Sequence, residues 1–220
     1  ASEEGIISFD QFLLENAVSL GADFIRQRVN EVRWPDAPGD QVGLNLMDGS
    51  ELDVDLVVGA FGVNTNLRKK FMLGYSPPST WVACRAEMPV DHEFIRRTLG
   101  SNIHVFALGG KGIQFVALTP KGNFITLTAI GPSVKMTDLE EALLRPEFRP
   151  YLPRDWKISC HCHPHFPVTA ADMPYRDRGL LVGDACQARY LKNGIESAYF
   201  TALFAAKTCL NIGIGRDELA

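Results

Sequence analysis

Two stretches of this sequence combine residue types that can do chemistry. Gly179-Leu180-Leu181-Val182-Gly183-Asp184-Ala185 is a short apolar run ending in a carboxylate, and Gly194 follows at the start of a long segment rich in small residues. A carboxylate at the C-terminal end of a buried strand can accept hydrogen bonds from sugar-like hydroxyls. The first turn of the next helix offers free N–H groups to an anion or a ring oxygen. The plainer alternative makes Asp184 a cap of that helix. The second stretch, Asp55-Leu56-Val57-Val58-Gly59-Ala60-Phe61-Gly62-Val63-Asn64-Thr65-Asn66-Leu67-Arg68, reads as a buried strand feeding a glycine-rich turn. Glycine there lets backbone approach a phosphate with which Arg68 could pair; alternatively Arg68 is a solvated helix residue.

A third constellation is Cys160-His161-Cys162-His163-Pro164-His165. In an extended strand His161, His163 and His165 share one face, with Cys160 and Cys162 on the other. His-x-His pairs can hold zinc or iron, but a tetrahedral site would need His104, His92 or a carboxylate from elsewhere, and no second CxxC or HxxxH pattern supports one. The remaining readings are plain packing and a strand lining a substrate cavity, in which a histidine such as His163 could act as an acid or base.

The elements that position these residues follow from the pattern. Ser8 precedes a helical repeat in which Phe9, Phe12, Leu13, Ala17 and Leu20 fall on one side before Gly21, which predicts an amphipathic helix over 9–20. Ala22 to Trp34 is rich in β-formers, and Gln41 to Met47 ends in Asp48-Gly49, a hairpin signal, so a short meander is expected. Leu52 to Val58 reads as a strand buried on both faces. After a Pro- and Ser-containing linker at 74–79, strands are expected at 81–88, 104–108, 112–118 and 123–130, with helices at 91–99 and 137–144, giving an antiparallel sheet. Trp156 to Val168 looks extended, and an apolar helix is expected over 195–210. Phe106, Phe115 and Phe124 read as sheet core.

Composition narrows the function classes. The chain has 220 residues, 46% hydrophobic and 22% charged, which describes a folded protein with a real core. A net charge of -4, with no basic run beyond Arg68-Lys69-Lys70, argues against a nucleic-acid groove. Five cysteines, an odd number without framework spacing, suggest a reducing compartment. No apolar window is long enough to span a bilayer and no signal pattern opens the sequence, so a cytoplasmic location is expected, with a membrane surface as a candidate contact.

In this order and at this separation, the Asp55–Arg68 and Gly179–Ala185 stretches resemble flavin-dependent oxidoreductases of the aromatic-hydroxylase and geranylgeranyl-reductase type. Those proteins carry an Asp-Leu-Val-Val-Gly-Ala-Asp-Gly-x-x-Ser-x-x-Arg segment at midchain and a later Gly-Asp-Ala segment. The Ser8–Ala17 opening also resembles the family's helix before its β-meander. The resemblance implies an α/β (α+β) fold, with part of an FAD-binding domain at 1–78 and 161–220 and an antiparallel-sheet substrate domain at 79–160. It implies FAD, with NAD(P)H as a candidate electron donor, and it carries cofactor contacts over to Gly62, Arg68, Gly183, Asp184, Ala185 and Gly194. Asp184 would meet the ribityl chain, and Lys192 would lie near the flavin ring, where it joins His163 as a candidate catalytic residue.

Departures from the family pattern are equally specific. Phe61 stands where the family has the Asp of its Asp-Gly pair, Thr65 replaces Ser, and no proline follows the Gly-Asp-Ala segment at the usual place. A Gly-x-Gly-x-x-Gly turn, which such a site needs for the pyrophosphate, is absent. The expectation is therefore a fragment whose missing N-terminal segment completes the site. In the intact protein it would be a reductase or monooxygenase acting on a hydrophobic or aromatic small molecule. Two rivals are a non-catalytic binding module on the same scaffold and a His-rich metal-dependent enzyme.

Overall fold

The computed structural model describes residues 7–37, 39–66, 71, 74–109, 112–188 and 194–220. Helix α1 (Phe9–Ser19) begins where Ser8 accepts the Gln11 N–H at 3.1 Å, and a left-handed glycine, Gly21 at φ +100°, follows its end. Its length matches the sequence pattern, but Phe9, Phe12, Leu13 and Leu20 all remain exposed. Ala22–Arg28 forms no strand, with a tight turn where the Gln27 N–H donates to the Ile25 carbonyl at 2.8 Å, so the first strand is β1 (Val29–Arg33).

Strands β1, β2 (Val42–Leu46) and β3 (Glu51–Val54) form the expected antiparallel meander. Its tight turn is set by Asp48, whose Oδ1 accepts the Ser50 N–H at 3.0 Å and the Ser50 hydroxyl at 2.6 Å, and by Gly49 at φ +87°. The run 52–58 does not form one strand buried on both faces. It breaks at Asp55-Leu56, where Arg178 donates to the Asp55 carbonyl at 3.0 Å, and continues as β4 (Val57–Gly59) in a different sheet. Val57 and Gly59 face inward, while Val58, one residue out of phase, is exposed.

The middle of the chain builds an antiparallel sheet. It contains β5 (Thr80–Pro89), β6 (His104–Ala107), β7 (Phe115–Lys121) and β8 (Phe124–Gly131), with α2 (His92–Thr98) and α3 (Met136–Leu143) intervening. A 3-10 segment, Pro146–Tyr151, fills the stretch after α3. The edge of β5 away from β8 is paired by β9 (Cys160–Cys162) and β10 (His165–Pro167) in one continuous register, with Cys162 opposite Arg85 and His165 opposite Val82.

One face of this sheet, with Cys84, Ala86, Met88, Leu118 and Leu127, packs against Ile95, Leu139, Leu143 and Phe148 from the helical segments. Alternation decides which of the three phenylalanines joins it. Phe106 pairs with buried Val116 and meets the Phe148 ring at 4.3 Å. Phe115, opposite Ile130, lies on the other face, and Phe124 at the sheet end is partly exposed, so the expectation of three core phenylalanines fails for two.

The chain then forms β11 (Tyr175–Arg176) and β12 (Gly179–Leu181), followed by α4 (Gly194–Asn211). β12 pairs antiparallel with β11 and parallel with β4. Their core joins Val32 and Val42 of the meander to Val57, Phe71, Leu181 and Ala185. Trp34 closes its side, donating its indole N–H to the Phe71 carbonyl at 2.8 Å and lying 4.2 Å beneath the Arg176 guanidinium. The whole is a mixed α/β (α+β) fold, a parallel pair with a β-meander joined to an antiparallel sheet. No helix among the described residues is long and apolar enough to cross a membrane.

Candidate functional site

The parallel pairing of β4 and β12 brings the two sequence motifs side by side. Gly59 lies opposite Leu181, and the Val182 N–H donates to the Gly59 carbonyl at 3.0 Å. The turns that leave the two strands, Gly59–Asn66 and Gly183–Ala185, therefore open at the same end of the sheet, where open α/β sheets bind their ligands. Gly59 has no room for a side chain, because a Cβ would fall on Leu181, Phe61 and Phe71.

Gly183 takes φ +63° and starts a 3-10 turn that aims Asp184 across the sheet end. Its N–H is already committed, donating to Thr201 Oγ1 of α4 at 2.8 Å, while Thr201 donates on to the Ser197 carbonyl at 2.7 Å. This hydroxyl pins α4 to the turn, a role that sequence reading missed because nothing marks one threonine in an apolar helix. Ala185 is fully buried and its carbonyl accepts from Tyr75 Oη at 2.6 Å, so it anchors the turn from below.

Asp184 differs from its neighbours. It is half-buried, its Oδ1 is shielded from solvent without a hydrogen-bond partner among the described residues, and burial pushes its carboxyl above the ordinary carboxylate range. Gly194, the first residue of α4, lies so close that a Cβ would stand 3.4 Å from that Oδ1. A desolvated acceptor beside a bare helix start is an arrangement that hydroxyl donors of a ligand would satisfy. Asp184 and Gly194 thus meet as the sequence spacing suggested.

On the β4 side, Gly62 takes φ +65° with open space around it. Phe61 turns inward, its ring meeting Phe71 edge-on at 5.3 Å, and lines an apolar groove of about 440 Å³ between β4 and the meander residues Val29, Val32, Leu44 and Val54. The position at which the resembled family carries an Asp is here part of the packing. Arg68 and Lys192 lie outside the described residues.

His163 sits elsewhere, on the exposed edge lane of the antiparallel sheet, its ring packed edge-on against His161 at 5.4 Å. Among the described residues no three His, Cys, Asp or Glu side chains gather closely enough to hold a metal ion. The edge lane reaches the β4 turn through Asn64: its side chain donates to the His165 carbonyl at 2.7 Å and accepts the His165 N–H at 2.8 Å.

No protein-family model matches the sequence, and no curated protein does. Solved structures do match it. A triple-mutant form of the flavin-dependent brominase Bmp2 superposes with a TM-score of 0.67 at 18% identity, over 96% of this chain and 57% of that one. The halogenase PltM gives 0.67 at 14% identity over 96% and 48%, and the Diels-Alderase PyrE3 gives 0.64 at 16% over 90% and 43%. This chain spans about half the length of these proteins. At such identities the likeness is one of fold: nearly all of this chain has the architecture of part of the flavin-dependent halogenase structures.

Proposed function

We propose that this chain is the substrate-side part and the later cofactor-side part of a flavin-dependent oxidoreductase, with FAD held where β4 and β12 end. The observation that carries the reading is Asp184, a desolvated carboxylate oxygen without a partner among the described residues, set against the side-chain-free start of α4. That donor-hungry oxygen suits the hydroxyls of a ribityl chain. Gly62 would let backbone approach the cofactor, Gly183 and Ala185 would hold Asp184 in place, and Gly194 would keep the helix start open. When bound, FAD supplies hydride acceptance or delivery and reaction with oxygen, with NAD(P)H as the electron source. A PltM structure in complex with FAD supports the choice of cofactor. The fold neighbours named as halogenases favour oxidative chemistry over isoprenoid reduction, and the substrate in this proposal is an aromatic or hydrophobic small molecule.

Further parts of the proposal are a cofactor portion at 1–78 and 161–220, a substrate portion at 79–160, an N-terminal segment completing the site and a cytoplasmic location, with a membrane surface as a candidate contact. The exposed apolar residues of α1 and Val58 fit a segment that covers them.

A second reading, a scaffold that binds without redox turnover, is favoured by the packing of Phe61 into the core and by the name Diels-Alderase on one fold neighbour. Titrating FAD fluorescence with the longest polypeptide containing this sequence, then adding NADPH without oxygen, separates the two. Saturable quenching, absent in Asp184→Ala, followed by bleaching of the flavin supports the oxidoreductase. Quenching without bleaching by NADPH supports the scaffold, and no quenching at all rejects the FAD site.

A further inference from the structure

We propose that Asn64 is a positioning residue whose side-chain amide acts as a substitute strand on the outer edge of β10, clasping the Gly59–Asn66 turn to the histidine-bearing lane of the antiparallel sheet. Resting on the flavin reading above, it assigns to Asn64 the alignment of the cofactor-side turn with the substrate-side sheet.

The register shows why His165 needs a partner there. In an antiparallel ladder, residues alternate between exchanging hydrogen bonds with the neighbouring strand and pointing both groups away from it. The Ala83 N–H donates to the Pro164 carbonyl at 2.9 Å, so Pro164 and Ala83 form a bonded pair, and the next pair, His165 with Val82, is a non-bonded one. Hence the N–H and C=O of His165 point away from β5, toward the open edge of the sheet. Asn64 Nδ2 donates to that carbonyl at 2.7 Å and Asn64 Oδ1 accepts that N–H at 2.8 Å, across 101 residues of chain.

A primary amide sets an N–H donor beside a carbonyl acceptor, the same pair that a strand presents. Asp at neutral pH would set a carboxylate oxygen against the His165 carbonyl, and Ser or Thr would reach only one of the two groups. Val63, buried next to Asn64, fixes the backbone from which the amide reaches, while Gly62 supplies the turn that aims it. The clasp sits one residue from Pro164 and two from His163, so the turn bearing Gly62 and the lane bearing His163 move as one unit.

Hydrogen exchange of single amides, read by NMR on the 220-residue chain, tests this without flavin. Asn64→Ala is expected to lower the protection of the His165 N–H at least tenfold while leaving that of Leu127, deep in the sheet, unchanged. Asn64→Asp is expected to lose protection at pH 7 and recover it below the pKa of the new carboxyl, because a protonated acid again offers a donor and an acceptor. Wild type measured across the same pH range is the control. Unaltered His165 protection in Asn64→Ala, equal loosening of Leu127, or an Asn64→Asp profile as flat as wild type would each overturn the clasp. Because flavin enters none of these readouts, failure of the FAD titration and failure of the clasp are separate results.

Discussion

Replacing Asp184 with Asn should stabilise the ligand-free chain while weakening its hold on flavin, and the two effects have one cause. The carboxylate has a desolvated Oδ1 without a partner among the described residues, a situation that costs about 1–3 kcal/mol for a buried polar group. Asp184 is only half-buried, so solvent screening brings this to about 1 kcal/mol. The adjacent start of α4 returns about 0.3 kcal/mol or more by favouring negative charge at a helix N-terminus. Asn keeps the size and one acceptor oxygen but removes the charge, for a net gain of roughly 0.5 kcal/mol, or ~1–2 °C in Tm for a chain of this size.

The sign with pH follows from the raised carboxyl. Between the unfolded pKa and the higher native one, the folded chain binds more protons, so wild-type stability falls as pH rises through that window. The advantage of Asp184→Asn should therefore be full at pH 7 and vanish below about pH 4. Circular dichroism melts of both proteins at pH 7 and pH 4 provide the assay. A lower Tm for Asp184→Asn at pH 7, or a gap independent of pH, would mean that the carboxylate is a satisfied helix cap and would refute the reasoning.

Phe61→Asp should lose about 3 kcal/mol or more in urea unfolding, because it removes a ring packed on Phe71 and sets a charge in its place, whereas Phe61→Leu should stay within about 1.5 kcal/mol. Gly59→Ala should lose about 1–3 kcal/mol in the same assay, since the new methyl group must displace Leu181, Phe61 and Phe71. Thr201→Val orphans the Gly183 N–H and should lower stability by about 1–2 kcal/mol, read by thermal melting. In timed alkylation followed by mass spectrometry, exposed Cys160 and Cys162 should label first. Cys84, buried with its thiol pushed up to about 11, should label only on unfolding.

Local signals in the sequence located most elements. The Ser8 cap, the Asp48-Gly49 turn and the glycine-bounded run at 179–182 each act within a few residues, and each marks an element that the structure contains. What sequence could not show was partnership. Leu52 to Val58 reads as one apolar strand, yet Arg178 from across the fold fixes the break at Asp55. Phe106 and Phe115 have the same composition signal, and only strand phase puts them on opposite faces of the sheet.

The site divides in the same way. Gly183, Asp184 and Gly194 were legible because strand, turn and helix follow one another along the chain. The inward turn of Phe61 and the hold of Thr201 on Gly183 depend on neighbours far away in sequence. Asn64 carried no signal beyond its place after a glycine turn, since its partner His165 lies 101 residues later.

The central claim is that flavin occupies the end of β4 and β12 against Asp184. Its most direct test is the visible absorbance of the longest polypeptide containing this sequence, desalted after incubation with FAD, beside Asp184→Ala treated identically. Bound-flavin bands in the first and their loss in a still-folded second are the predicted result. A colourless wild type, or equal flavin in both proteins, would contradict it.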